Sequence, residues 1–375
     1  MKKAVIYLIA SMLLTGCSTS GIRVTVTNPL HAERKSETIE IPVTDITSRI
    51  ENVNLSKVIV VDSKGKEIAS QLIYEGETAP VKLIFQVNVP SDGKSTYTIK
   101  PGVPVKYVHQ AYGRFVPERM DDYAWENNRI AFRIYGTALI KKDGPSNGLD
   151  VWVKRTNDTI INKWYREYLA GKNSYHDDNG TGCDCFKVGR TLGAGAMAPF
   201  VNDSLWLGIN FVSWKTLDNG PIRTSFMLTY QPFEVNGKSV TETRIFSLDA
   251  GSQLNLITEN YQGIDTPFTV AAGIAERPEG KIVSKAADKG YIAYSLDDGK
   301  NGPLYVGTVI PLGVTGVTES DNHLLIKETY TPGTNLSYYS GAGWSKWGFE
   351  NDEAWLNYLD SFILRLHNPL KVTIK

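Results

Sequence analysis

Short runs of alternating apolar and polar residues fill the first part of the chain. They are bounded by turn residues such as Asn28-Pro29 and Pro90-Ser91-Asp92-Gly93. The runs predict strands at residues 23–27, 37–43, 57–62, 68–74, 81–89 and 95–100. Strands at roughly ten-residue spacing are typical of a small β-sandwich.

Pro101-Gly102-Val103-Pro104 interrupts this pattern, and we place a domain boundary there. The sandwich then covers residues 22–104 and a second domain covers residues 105–375. Longer strand signals follow at residues 129–135, 205–214, 222–230, 240–248, 253–259, 281–284, 290–296, 304–310 and 323–330. Strands and helices do not alternate, which excludes a doubly wound nucleotide-binding fold. The second domain is predicted to be a large two-layer sandwich of antiparallel strands.

Two segments have helical periodicity. The first is short and covers residues 159–169. The second, residues 352–366, repeats apolar residues at helical spacing after Asn351, a suitable N-cap. Its aromatic stripe indicates a packing helix and not a ligand site.

The N-terminus has the pattern of an export signal. Lys2-Lys3 precedes an apolar run that ends in Leu14-Thr15-Gly16-Cys17, and the run is too short for a permanent membrane span. The small pair before Cys17 resembles the bacterial lipobox, which predicts a signal peptide over residues 1–16, lipidation of Cys17 and a tether over residues 17–21. An ordinary cleaved signal peptide is the alternative. No acidic run follows Cys17, so we expect a periplasmic protein, lipid-anchored to the outer membrane.

Composition excludes several classes of protein. Lys and Arg number 40 and Asp and Glu number 40, so no basic surface for nucleic acid is expected. Residues 193–198 match a dinucleotide fingerprint only loosely, since no helix follows, and we predict a loop and no cofactor. Cys183 and Cys185 cannot fill a zinc site alone, so no metal is assigned. Structural thiols, a strained disulfide and a metal site all stay open for this pair.

Three polar clusters beyond residue 104 are candidates for chemistry. In the first, Tyr175-His176 precedes several carboxylates and a glycine-rich stretch, and His176 has the side chain best suited to proton transfer near neutral pH. Its alternative is a polar loop held by Asx turns. The second cluster combines aromatic residues with charge, and its candidate sugar-binding residues are Arg119, Asp121, Asp122 and Trp125. The third combines aromatic residues with glycine, and its candidates are Tyr339 and Trp344. An ion-pair network and a covered sheet end are the corresponding structural alternatives.

The sequence resembles a known family at these clusters. The family consists of lipoprotein-type proteins of unknown function from bacterial polysaccharide-utilisation genes, and it includes an oligosaccharide dehydratase that acts on ulvan fragments. The similarity rests on Pro117-Glu118-Arg119, Asp121 to Asn127, Gly148 to Trp152, Tyr175-His176, Gly180, Gly182, Asp184, Lys187-Val188-Gly189, Tyr338-Tyr339 and Gly341 to Ser345. It implies a β-supersandwich of the galactose-mutarotase or polysaccharide-lyase type. It also implies action on a uronate at the non-reducing end of an oligosaccharide.

Elimination from a uronate needs a cation on the carboxylate, a base for the C5 proton and an acid for the C4 hydroxyl. We expect Arg119 or Arg223 to hold the carboxylate and His176 to be the base. Tyr175 or Tyr339 is the expected acid, and His109 and His323 are reserve bases. Loss of water would leave a 4,5-unsaturated uronate.

The sequence therefore predicts a carbon–oxygen lyase whose whole site lies in the second domain. Its expected partners are an oligosaccharide containing uronic acid and, through the lipid anchor, a membrane. A non-catalytic glycan-binding lipoprotein is the main alternative, and a sugar mutarotase or epimerase is another. Whether the leaving group is water or a sugar stays open.

Overall fold

The structure, a computed structural model, describes residues 21–375, and strands make up most of its regular elements. Two antiparallel sheets form the smaller unit, the N-terminal sandwich. One sheet has the order Lys371–Ile374, Ile22–Thr27, Lys94–Pro101, Val58–Asp62 and Glu67–Ile68. The other has the order Arg34–Pro42, Lys82–Val89 and Ser70–Ile73. The predicted strands are confirmed, and residues 68–74 divide into two short ones.

The two sheets share one apolar core, to which Val24, Ile99 and Phe85 contribute fully buried side chains. The last strand, Lys371–Ile374, pairs with Ile22–Thr27. All residues from 105 to 375 were predicted to belong to the second domain. This pairing corrects that prediction, because the last strand is part of the N-terminal sandwich. The strand supplies hydrogen-bond partners to an edge that would otherwise stay open, but it is largely exposed and has little apolar pattern of its own.

Three antiparallel sheets form the larger unit, the C-terminal sandwich. Its nine-stranded sheet has the order Phe211–Asn219, Arg223–Tyr230, Lys238–Asp249, Leu254–Gln262, Leu336–Trp344, Leu304–Val309, Tyr291–Leu296 and Gly280–Ala286, with Phe233–Val235 beside Lys238–Asp249. The site sheet has the order Gly182–Cys183, Asp150–Lys154, Ile130–Ile134, Asp122–Asn127 and Ala111–Val116. A third sheet has the order Ser204–Leu205, Ala194–Val201, Phe268–Ala275, His323–Tyr330 and Val314–Ser320. The predicted mainly β fold class is confirmed.

Side chains alternate along each strand of the nine-stranded sheet, so neighbouring residues lie on opposite faces. Ile292 lies in the core shared with the other two sheets, whereas its neighbour Tyr291 lies under the helix Asp352–His367. This helix and its cap are confirmed, since Asn351 Oδ1 accepts a hydrogen bond from the amide of Ala354 at 2.9 Å.

The site sheet also has two buried faces. Tyr123 enters the shared core, and Trp152 on the opposite face packs against the helix Ile161–Leu169. Glu126 on that outer face accepts hydrogen bonds from the first amide of the helix at 3.0 Å and from Lys154 Nζ at 2.7 Å. A buried carboxylate thus joins the helix to the sheet. The outer face is where charged residues collect.

The remaining helical segments are short: Val43–Thr47, Ile140–Asp143 and the 3-10 turns Leu55–Lys57, Pro117–Arg119 and Thr137–Leu139. Residues 193–198, predicted as a loop, instead enter the buried strand Ala194–Val201. Glycine is needed at Gly195, where φ is 111° and a Cβ would overlap Ser340. Among residues 21–375, no helix combines the length and apolar character needed to cross a membrane.

Candidate active site

A cavity of about 650 Å³ opens beside the site sheet, and we call it the histidine cavity. Its volume is in the range of small-molecule sites. No residue between 22 and 100 contributes to its wall. It is lined by Arg119, Arg133, Tyr135, Leu139, Asp143, Gly144, Ser146, His176, Asp184, Cys185, Phe186, Lys187, Val188 and Gly189.

His176 enters the cavity from the loop that follows the helix Ile161–Leu169. Its Nδ1 lies 3.3 Å from both the backbone oxygen and Oδ2 of Asp184. Burial lowers the pKa of His176, although its side chain is still 52% exposed. Within residues 21–375, Nε2 has no hydrogen-bond partner. The imidazole is therefore neutral at pH 7, with Nδ1 held and Nε2 available as a proton acceptor.

Arg119 reaches the cavity through an unusual turn. It ends the 3-10 turn Pro117–Arg119, and the next two residues, Met120 and Asp121, have φ of 51° and 62°. Such left-handed conformations cost about 1 kcal/mol each outside glycine. Arg119 Nε donates to Tyr175 Oη at 3.1 Å, while the buried Nη1 has no partner in the described structure. Arg119 thus has a buried N–H group without a hydrogen-bond partner beside the cavity.

Arg133 organises the outer face of the site sheet. Its Nε donates to Asp150 Oδ2 at 2.8 Å across the strand pair, and its Nη2 donates to Asp184 Oδ2 at 2.8 Å. Its Nη1 donates to Tyr175 Oη at 3.1 Å and lies 3.8 Å from Asp122 Oδ2. The guanidinium therefore connects the strands to the loop that carries His176.

Two guanidinium groups, Arg119 and Arg133, share this region with three buried carboxyl groups. Burial raises the pKa of Asp122 to about 6, although both arginines lower it. Burial and the charge of Asp150 raise the pKa of Asp184 far more than the arginines lower it. Burial therefore favours the protonated forms of Asp122 and Asp184, and the two guanidinium groups oppose it.

Tyr135 lines the cavity, and the Arg133 guanidinium lies over its ring at 5.1 Å. Burial raises the pKa of Tyr135, so the phenol keeps its proton at neutral pH. No residue in the described part of the chain hydrogen-bonds to its hydroxyl. The following Gly136 crosses the backbone of Asp121, where a Cβ would overlap the carbonyl oxygen. Glycine is therefore needed at this crossing beside Tyr135.

Three other predicted residues lie close to the cavity without lining it. Tyr175 is 3% exposed, and its oxygen accepts from both arginines. Asp122 is fully buried and accepts from Tyr165 Oη at 3.1 Å. Asp121 is half-buried in the left-handed turn. These placements correct the expectation that Tyr175, Asp121 and Asp122 contact substrate directly.

The two predicted tryptophans belong to the core. Trp125 is fully buried, stacks on Phe132 with ring centroids 5.5 Å apart and donates to Asn255 at 2.7 Å. Trp344 is also buried and donates to the backbone oxygen of Asn301 at 3.0 Å. Neither has an indole face open to solvent, which corrects the expectation that they stack on a sugar ring.

Arg223 and Tyr339 lie in a different cavity of about 280 Å³, between the two sandwiches. Arg223 pairs with Asp249 at 2.8 Å and with Glu40 at 2.6 Å. Tyr339 packs against Phe362 of the long helix with ring centroids 5.0 Å apart. Both belong to the nine-stranded sheet and not to the site sheet, which corrects the expectation that they join His176.

The other chemical groups considered from the sequence have structural surroundings. Cys183 and Cys185 are free thiols, and Cys185 lines the cavity. Of the reserve bases, His323 is buried and accepts from the amide of Leu192 at 3.0 Å, and His109 is exposed outside the histidine cavity. Within residues 21–375, no group of three or more His, Cys, Asp or Glu side chains is placed to hold a metal ion.

Sequence reasoning did not assign roles to Arg133, Tyr135 and Asp184. A usable signal existed for Arg133, because it interrupts the otherwise apolar run from Ile130 to Ile134. A charge inside such a strand predicts a buried partner of opposite charge. Nothing in the local pattern points to Asp184 as that partner.

Comparison with known proteins relates this architecture to a family. A family model described as a domain of unknown function, DUF4861, matches residues 26–372. The chain belongs to the DUF4861 family. A relative from Formosa agariphila, named uncharacterized protein P7, is 31% identical over 395 residues and is matched across 98% of each chain.

Two solved structures resemble the fold of this chain, and each match covers 95% of it. One is a protein in glycosyl hydrolase family 38 from Enterococcus faecalis, with a TM-score of 0.53 and 9% identity, and 47% of its length is covered. Another is an α-mannosidase from Enterococcus faecalis V583, with a TM-score of 0.50 and 8% identity, and 46% of its length is covered. The chain thus spans about half the length of these proteins, and the likeness concerns the fold alone.

Proposed function

We propose that this protein is a carbon–oxygen lyase that removes water from a uronate at the non-reducing end of an oligosaccharide. The observation that supports it best is the sharing of one cavity by a neutral imidazole, His176, and a buried arginine with a free N–H, Arg119. Elimination beside a carboxylate needs both groups. The resemblance to a family that includes an ulvan oligosaccharide dehydratase supports the substrate class.

The reaction follows from these groups. The Arg119 guanidinium binds the substrate carboxylate and stabilises the charge that develops on it. His176 Nε2 takes the C5 proton, and the electron pair of the C5–H bond forms the C4–C5 double bond. The C4–O bond breaks, and the departing hydroxyl takes a proton from Tyr135 and leaves as water. Solvent then removes the proton from His176 and returns one to Tyr135.

The surrounding residues support these roles. Asp184 holds Nδ1 of His176, so Nε2 carries the lone pair. Tyr135 keeps its proton at neutral pH because burial raises its pKa, so it has a proton to donate and does not act as a base. Tyr135 takes the acid role that the sequence assigned to Tyr175 or Tyr339, because it is the tyrosine that lines the histidine cavity.

We also propose that the protein is a periplasmic lipoprotein anchored to the outer membrane through Cys17. This proposal rests on the sequence motif, because Cys17 lies outside the described residues. A non-catalytic glycan-binding lipoprotein is the competing function. The burial of Trp125 and Trp344 weakens the glycan-binding alternative, because that alternative depends mainly on aromatic side chains that stack on sugar.

Absorbance near the ultraviolet edge, where the unsaturated uronate absorbs, tests the lyase directly in a panel of oligouronates. Mass spectrometry separates loss of one water from chain cleavage. We expect absorbance with loss of water, and a fall of at least about 10²-fold in the rate of both in His176→Ala. His31→Ala is the matched control, because His31 is an exposed histidine of the N-terminal sandwich. Binding without absorbance would favour the glycan-binding protein, and isomerisation without loss of water would favour the mutarotase or epimerase.

A further inference from the structure

The tether between the proposed anchor and the described structure is short. Residues 18–20 separate Cys17 from Gly21, the first described residue. An extended chain covers at most about 3.6 Å per residue, so Gly21 lies within roughly 15 Å of an anchored Cys17. The surface around Gly21 must therefore lie close to the lipid headgroups.

Gly21 lies at one end of the five-stranded sheet of the N-terminal sandwich. Ile22 pairs with Ile99, and a Cβ on Gly21 would lie 3.2 Å from Lys100 Cβ. The strand that contains Lys100 ends at Pro101, where the connection to the C-terminal sandwich begins. The connection therefore starts beside the point at which the tether enters.

This connection, residues 102–110, exposes apolar side chains, and we call it the valine strap. Val103, Val105 and Val108 are 77%, 60% and 81% exposed. The strap is held to the sandwich, since the amide of Val105 and Tyr107 Oη both donate to Glu67 Oε1, at 3.0 Å and 2.5 Å. Apolar side chains are thus fixed in an exposed position.

The same end of the sandwich carries basic residues. Lys57 accepts a backbone hydrogen bond from Gly102 at 2.9 Å, and the backbones of Arg23 and Lys375 pair with each other. Within residues 21–375, these basic residues form no ion pair, unlike Lys35, Lys82 and Lys289. The group comprises Arg23, Lys57, Lys100, Lys106 and Lys375.

We propose that the valine strap and this basic end of the N-terminal sandwich lie against the lipid headgroups of the anchoring membrane. The proposal rests on the anchor at Cys17 and is independent of the lyase activity. Apolar side chains enter the boundary between headgroups and acyl chains. Basic residues are attracted to an anionic membrane surface and add to the binding. The two contributions together hold this face of the protein on the bilayer.

The test uses the acylated full-length protein in vesicles that contain phosphatidylglycerol and spin-labelled lipid. A fluorophore is attached to Val103→Cys in one sample and to Leu312→Cys in another. Leu312 is a matched control because it is 75% exposed. It follows Pro311, whose oxygen contacts His367 at 2.9 Å, close to the opposite end of the same sheet. The unsubstituted protein gives the background from Cys185.

We expect the spin-labelled lipid to quench the label at Val103→Cys, and the label at Leu312→Cys to stay at background. Absence of quenching at both positions, or equal quenching at both, in protein that floats with the vesicles would overturn the orientation while leaving the anchor intact. Acylated protein that does not float would refute the anchor and this proposal with it. None of these outcomes depends on turnover, so a failed lyase assay stays distinguishable.

Discussion

Replacing Asp122 with asparagine tests whether burial behind the histidine cavity raises the pKa of this carboxyl group. Burial raises the pKa of Asp122 from 3.8 to about 6, so the folded state holds this proton more tightly than the unfolded state does. The group has no effect on stability below the unfolded pKa and becomes unfavourable as the pH rises through the folded value. A shift of roughly 2 units corresponds to about 3 kcal/mol. Asparagine does not ionise, so the variant does not lose folding stability in this way as the pH rises. Its side-chain oxygen can still accept the hydrogen bond from Tyr165.

Urea unfolding at steps between about pH 4 and pH 7 measures the effect. The free energy of unfolding of Asp122→Asn, relative to the parent, should rise by about 2 to 3 kcal/mol over that range. Asp288→Asn, an exposed control, should stay within about 0.5 kcal/mol of the parent throughout. A constant difference for Asp122→Asn would show that the pKa of Asp122 is not raised, and the reasoning from its burial would fail.

Arg119→Lys keeps the charge but loses the planar fork, so we expect kcat/KM to fall about 10- to 100-fold, mainly through KM; an unchanged KM would remove Arg119 from substrate binding. Trp125→Ala should lower the free energy of unfolding by about 3 to 5 kcal/mol in urea, because it opens a cavity in the core. A stable Trp125→Ala protein with selectively weakened sugar binding would contradict that placement. Cys17→Ser should move the protein from the membrane to the soluble fraction, and unchanged fractionation would refute the lipid anchor.

Apolar spacing, alternation and turn residues in the sequence predicted individual helices and strands, because these elements depend mainly on neighbouring residues. The helix Asp352–His367 follows from its apolar spacing and its Asn351 cap, and the strands of the N-terminal sandwich follow from alternation and turn residues. His176 and Arg119 were also predicted as partners in one site, and they share a cavity. In both cases the residue type and its neighbours carry the information.

Long-range strand order was not predictable in this way. Arg223 and Tyr339 were grouped with His176 by chemistry, yet they lie in the nine-stranded sheet beside the N-terminal sandwich. Residues 122–127 were interpreted as a polar recognition cluster, but Asp122 and Glu126 alternate with Tyr123 and Trp125 along one buried strand. Glu126 is compensated by Lys154, a partner distant in sequence that no local pattern shows, and Asp122 by Arg133 as well as by the nearby Arg119.

One measurement tests the central claim most directly. It compares the ultraviolet absorbance produced by His176→Ala, by His31→Ala and by the parent on one oligouronate that the parent converts. Loss of a general base costs about 10²–10⁴-fold in rate. We therefore expect the His176→Ala rate to fall by at least 10²-fold, with loss of one water in the parent product and full activity in His31→Ala. A His176→Ala rate equal to that of the parent would contradict the assignment of His176 as the base and, with it, the proposed active site.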